Sequence, residues 1–160
     1  MSTTTFAAIR SQIETVLAAL TPATASQLRF KRAPRRVPLR DWVTKNTGDG
    51  AVRRWEMLRG DQREPMSMDA SERVVEIDAV LTVAYPTLIG IYGANELDSL
   101  EDVIEADANQ IRDALYSSGN YVAGCYCVTV SIMGPDRTMD GCYLQPFQLT
   151  FTLNRSQSLT

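Results

Sequence analysis

Histidine is absent from the 160 residues of the chain, and with it the side chain that most often serves as general base, metal ligand or near-neutral proton switch. That absence lowers the expectation of an enzyme. Cysteine is scarce. Cys125, Cys127 and Cys142 make an odd set, and a C-x-C pair with one distant partner has neither the spacing nor the fourth ligand of an ordinary zinc site. Reduced thiols packed on a sheet are expected, with Cys125 and Cys127 on one face of a strand. Long apolar runs are missing too: charges interrupt them far short of the roughly 20 residues that a bilayer-spanning helix needs. The start, Met1-Ser2-Thr3-Thr4-Thr5-Phe6, has neither a basic opening nor an apolar run ending in a small-residue cleavage site, which predicts a chain that stays in a cytoplasm.

What the chain does have is segregated charge. The total is only −3. Arg29, Lys31, Arg32, Arg35, Arg36, Arg40, Lys45, Arg53, Arg54, Arg59 and Arg63 crowd one stretch, opposed there by Asp41, Asp49, Glu56 and Asp61. From Asp69 to Asp113 the sign inverts: Glu72, Glu76, Asp78, Glu96, Asp98, Glu101, Asp102, Glu105 and Asp107 face only Arg73 and Arg112. One molecule thus carries a positive and a negative segment.

At this length a single hydrophobic core is normal, and a compact domain buries ~70% of its unfolded surface. Phe6, Ile9, Ile13, Val16, Leu17 and Leu20 recur at steps of three and four, which predicts an amphipathic helix capped by threonines 3–5 and stopped by Thr21-Pro22. Leu28 and Phe30 alternate with Arg29 and Lys31 as a short strand. Residues 32–52, with Pro34, Pro38, Gly48 and Gly50 and no sustained period, read as a long exposed basic arm, the first place to look for function. Trp55 and Met57 mark a second strand, followed by a polar connection from Gly60 to Ser71. Val75, Ile77, Ala79, Leu81, Val83 and Tyr85 hold one parity of a long strand, with Glu76, Asp78 and Thr82 on the other. Leu97, Leu100, Ile104, Ala108, Ile111 and Leu115 stripe a second helix, with Asp98 or Ser99 as its cap and Gly119 as its stop. A hairpin closes the chain: Tyr126, Val128, Val130 and Ile132, a turn over 134–141, then Tyr143, Phe147, Leu149, Phe151 and Leu153. The order predicts one α+β domain over residues 1–160, a mostly antiparallel sheet with two amphipathic helices packed on one face, plus a long basic arm at about 32–52.

No catalytic constellation stands out, and no cofactor or metal is expected. Gly90-Ile91-Tyr92-Gly93 matches neither a phosphate-binding loop nor a dinucleotide fingerprint. The carboxylates from Asp98 to Asp107 fit a solvated or partner-facing helix surface better than a cation site. Asp107 differs from its neighbours, because helical spacing turns it toward the apolar stripe, where a carboxylate needs a partner. The arm could neutralise phosphates, yet it offers only Trp42 for stacking and the protein is net acidic. A nucleic-acid-binding accessory protein is therefore the alternative. The preferred expectation is self-assembly, with Arg32, Arg35, Arg36 and Arg40 of one copy against Asp98, Asp102 and Glu105 of the next, a head-to-tail contact that can close into a ring.

The layout resembles tail terminator and tail completion proteins of long-tailed bacteriophages. The residues that carry the likeness are the amphipathic start Phe6 to Leu20, the strand ending Val80-Leu81-Thr82-Val83-Ala84-Tyr85, the acidic helix Leu97 to Leu115 and the closing strand Phe147-Gln148-Leu149-Thr150-Phe151-Thr152-Leu153. The resemblance implies a virion protein of the tail or neck: a ring, commonly a hexamer, that caps the tail tube, ends its growth and meets the head connector. DNA would pass through the lumen without being read, and no membrane would be involved. The same layout would equally fit another head-completion or neck adaptor protein.

Overall fold

The computed structural model describes residues 5–34, 37–45, 49–64, 72–87, 96–116, 125–137 and 141–156. The first helix, α1 (Phe6–Ala19), starts where Thr5 takes an extended backbone and its hydroxyl accepts from the Ala8 amide at 3.1 Å, which satisfies one of the otherwise orphaned first-turn donors. Phe6, Ile9, Ile13, Val16 and Leu17 are its buried stripe. Full burial of each such side chain is worth ~1.5–3 kcal/mol, so the stripe fixes which face meets the sheet.

The strands are β1 (Lys31–Arg32), β2 (Arg54–Arg63), β3 (Glu72–Pro86), β4 (Cys125–Ile132), β5 (Asp136–Arg137) and β6 (Cys142–Ser156). They form one sheet in the order β1-β2-β3-β6-β4, with β5 added beside β6. All pairings are antiparallel except the short parallel contact of β1 with β2. The spine is the β3–β6 ladder, which runs without a slip from Glu72↔Ser156 to Pro86↔Cys142. Period-two alternation puts Val75, Ile77, Ala79, Leu81, Val83 and Tyr85 on one face, together with Phe147, Leu149, Phe151 and Leu153 of β6, Trp55 and Met57 of β2, and Val128 and Val130 of β4. α1 and α3 (Glu96–Tyr116) cover that face and share its core. The α+β architecture with two amphipathic helices on one side of a mostly antiparallel sheet is the one expected.

Several local expectations need correction. Residues 32–52 are not an uninterrupted exposed arm: α2 (Leu39–Lys45) and a short 3-10 turn (Asp49–Ala51) lie within them, while 35, 36 and 46–48 fall outside the described residues. Leu39 and Val43, one helical turn apart, are buried with Ala33, Ala51, Ala84, Cys142 and Leu144 in a second cluster. Ala84 and Leu144 have the opposite parity to the main core, so α2 packs on the reverse face of the sheet. Glu56 anchors its start, its Oε2 accepting from the Leu39 amide at 2.9 Å.

The strand expected at Leu28–Lys31 is reduced to Lys31–Arg32, because the chain before it turns through Ala25 at φ +49. β2 continues to Arg63 where a polar connection was expected. α3 begins at Glu96, so Asp98 and Ser99 lie inside its first turn and are not its caps; Gly119 lies outside the described residues, as do Gly90 to Gly93. The register of β4 slips by one between Cys125 and Cys127, which pair with Leu153 and Thr152; the side chain of Cys127 lies outside the described residues. The turn of the closing hairpin holds β5.

Candidate functional site: an acid-edged apolar groove

Pro146 sits in the middle of β6, opposite Thr82 of β3, and proline has no amide to give a neighbouring strand. Its carbonyl accepts from the Met133 amide at 3.1 Å, so the missing donor falls on the β4 side. There the ladder breaks: β4 pairs no further than Ile132↔Phe147, and β5 resumes at Leu144 and Tyr143. Buried Gln145 bridges the gap, its amide donating to the carbonyls of Met133 at 2.6 Å and Pro146 at 2.9 Å.

Beside this break, a groove of about 330 Å³ lies between residues 132–135 and α3. Its floor and walls are Ile104, Ala108, Ile132, Met133, Pro135 and Tyr143, and Glu101 and Glu105 stand on its α3 edge. Ile132 and Met133 are 39% and 45% exposed, unusual for apolar side chains of their size in this molecule. Exposed Asp102 continues the acidic edge. Among the described residues, Glu101, Asp102 and Glu105 form no ion pair, so no described cation neutralises this charge. The sequence carries seven carboxylates in α3 against Arg112 alone.

Of the residues expected at a subunit interface, Asp102 and Glu105 are thus exposed on one helix surface, and Glu105 edges the groove; the side chain of Asp98 lies outside the described residues. The basic set is split. Arg40 is exposed on α2, on the reverse face, and pairs with Asp136 across the surface. Arg32 instead turns toward α1, half-buried, with Nη1 3.5 Å from Glu14 Oε2 and its guanidinium 6.0 Å from the centre of the Trp55 ring. Arg35 and Arg36 lie outside the described residues. Lys45 is exposed at the end of α2, as is Asp41 in its first turn. Sequence reasoning missed Ile132, Met133, Pro135 and Gln145, though a proline inside a strand pattern signals a break in the ladder.

A second cluster lies in the core. Asp107, marked by its helical position as needing a partner, is buried with Arg53, whose Nε donates to Oδ2 at 2.6 Å and Nη2 to Oδ1 at 3.2 Å. The Tyr85 hydroxyl donates to the same Oδ2 at 2.9 Å. The remaining N–H groups of Arg53 donate to the carbonyls of Thr24, Ala25 and Leu28 at 2.7–2.9 Å, so every donor of the guanidinium is used. Burial pushes the Asp107 carboxyl above its usual range, against the opposing pull of Arg53 and Tyr85. Fully satisfied and closed to solvent, the cluster is a tie between α3, β3 and the turn after α1.

Cys125 packs in the main core and Cys142 in the reverse-face cluster. Burial raises the Cys142 thiol to about 11, which keeps it protonated at neutral pH. Among the described residues no three potential metal-ligating side chains converge, and no helix is long and apolar enough to cross a membrane. No protein-family model matches the chain, and no curated protein matches it.

Proposed function

We propose that the chain is a structural virion protein that assembles head to tail with copies of itself into a closed ring at the end of a long-tailed phage's tail tube, where it ends tube growth and joins the tail to the head connector. The observation that supports this best is that two helices with exposed side chains of unlike sign lie on opposite faces of one sheet. Glu101, Asp102 and Glu105 of α3 are exposed beside the helix-covered face, and Arg40 and Lys45, with Asp41 between them, are exposed on α2 at the reverse face. In a two-fold contact a patch meets itself, which would set the α3 carboxylates against one another; unlike patches make a heterologous contact, which closes into a ring where the rotation between neighbours allows it. Exposed Ile132 and Met133 beside the acidic edge supply the apolar part such an interface needs.

The role is mechanical and uses no reaction. A ring with net acidic subunits gives passing DNA nothing to grip, because a polyanion is repelled by a surface of like sign. The test is the mass of the protein by light scattering at moderate and high salt, with and without DNA, joined to electron microscopy of the particles. A ring-sized species indifferent to DNA is the expected result; a monomer that joins DNA only at low salt overturns it in favour of a nucleic-acid-binding accessory protein. The placement on the tail is checked by adding the protein to polymerising tube protein of the same phage, which should then give tubes that stop lengthening.

A further inference from the structure

We infer that the groove between α3 and residues 132–135 receives Val37 and its flanking basic residues from a second copy of this chain, a proposal that rests on the head-to-tail reading above and names its contact. The groove has two kinds of surface: an apolar floor that includes exposed Ile132 and Met133, and a carboxylate edge of Glu101 and Glu105. A matching occupant must carry an exposed apolar side chain with cations close beside it. Val37 is 38% exposed and one of few large apolar side chains to be so among the described residues. In sequence it follows Arg35 and Arg36, and Arg40 stands three positions beyond.

The backbone favours the same fit. Val37 precedes Pro38, and a residue before proline is held extended by clash with the ring. A segment already extended loses little freedom on docking. It also stands just before α2, which packs on the sheet face opposite to α3. The exposed pair between Arg40 and Asp136 is of the kind that contributes little and exchanges readily, so Arg40 is available to the neighbour's Glu101 or Glu105. The groove lies at the small end of the range for small-ligand sites, roughly 300–1,000 Å³, and a small molecule is the competing occupant.

The experiment mixes two variants, Val37→Cys and Met133→Cys, each made with Cys127→Ser so that the other native thiols present are the buried Cys125 and Cys142. After mild oxidation the mixture should give covalent dimers containing one chain of each kind, and neither variant alone should do so. Covalent dimers from either variant alone overturn the proposal, because they report a two-fold contact. A ring of full mass without the mixed crosslink also overturns it, while leaving the ring intact as a reading; a protein that is monomeric before any substitution sinks both. In parallel, Glu101→Arg with Glu105→Arg, and Arg35→Glu with Arg36→Glu, should each give folded monomers by circular dichroism and light scattering. Mixing those two charge-reversed proteins should restore association between unlike chains, and failure to restore it removes the charge pairing from the proposal.

Discussion

Arg53 and Asp107, 54 positions apart, meet through two hydrogen bonds with their side chains 0% and 2% exposed. Arg53 holds a left-handed backbone, φ +55, which an L side chain adopts only when its surroundings compel it. Here the guanidinium supplies that compulsion, reaching three carbonyls of the turn after α1 as well as the carboxylate. Removing one partner of a buried pair leaves the other uncompensated, so Arg53→Met and Asp107→Leu should each cost about 3–5 kcal/mol in urea unfolding. The double variant should not return to native stability, as it often does for an isolated pair. The carbonyls of Thr24, Ala25 and Leu28 lose their donor, at about 1–3 kcal/mol for each that stays shut from water. A double variant as stable as the native chain would show that the turn does not depend on Arg53.

Two carboxylates give opposite contributions to acid stability. Hydrogen bonds from Arg63, and then from Thr150, hold the Asp78 carboxyl below its ordinary 3.8. Its stabilisation is therefore present above 3.8 and is lost as pH falls through the lowered folded value. Asp107 is raised by burial, so the folded chain binds that proton more tightly than the unfolded chain does. Its contribution falls as pH rises from 3.8 through the raised value, and is regained on acidification. Asp78→Asn should flatten the loss of stability in the acid limb. Asp107→Asn should steepen it as pH falls through the raised folded value toward 3.8, where the native carboxyl takes up its proton. Urea midpoints across that range decide both.

Gly141 occupies φ +78, and a Cβ there would come within 2.8 Å of the Thr87 hydroxyl. Its carbonyl meanwhile accepts from the Thr87 amide at 2.8 Å and from the Thr87 side chain, so the backbone cannot rotate away without losing both bonds. Gly141→Ala should lower stability by about 1–3 kcal/mol through this strain. Gly134→Ala, with open space around its Cβ position, should change it by less than about 0.5 kcal/mol.

Tyr116 ends α3 with its hydroxyl both accepting from the Val130 amide at 3.4 Å and donating to the Val130 carbonyl at 3.3 Å. These are outward-pointing groups of β4, the last strand of the sheet, and the hydroxyl occupies the place of a further strand. Unpaired edges invite pairing with other chains. Tyr116→Phe should cost only about 0.5–1.5 kcal/mol while raising the rate of aggregation, followed by thioflavin fluorescence and turbidity. Equal rates in both proteins would mean that the edge is protected by other means.

Elements that bury one face were legible in the sequence, since burial is what imposes a period. The alternation of β3 came through residue for residue, and the stripe of α1 did so as far as Leu17, with Leu20 falling on its C-cap. β2 was read only as far as Leu58 because Gly60 to Arg63 are exposed on both sides, and a strand that runs beyond its covering helices loses its alternation. α2 was hidden by its flanks: Leu39 and Val43 have helical spacing, but one turn between Pro38 and a glycine-bearing loop is too short to show a period. Asp107 announced a need for a partner, whereas Arg53 looked like one basic residue among many. A contact 54 positions apart leaves no local trace. The groove was partly visible through Glu105, while its apolar half depended on Pro146, which lies outside the hairpin turn that drew attention.

The ladder beside the groove breaks at Pro146, which withholds a donor from the β4 side whatever exposed side chains stand there. Exchange of Ile132 or Met133, both exposed, changes the lining without adding or removing a backbone donor. The surface of the groove can therefore be altered one side chain at a time while the backbone frame around it stays the same.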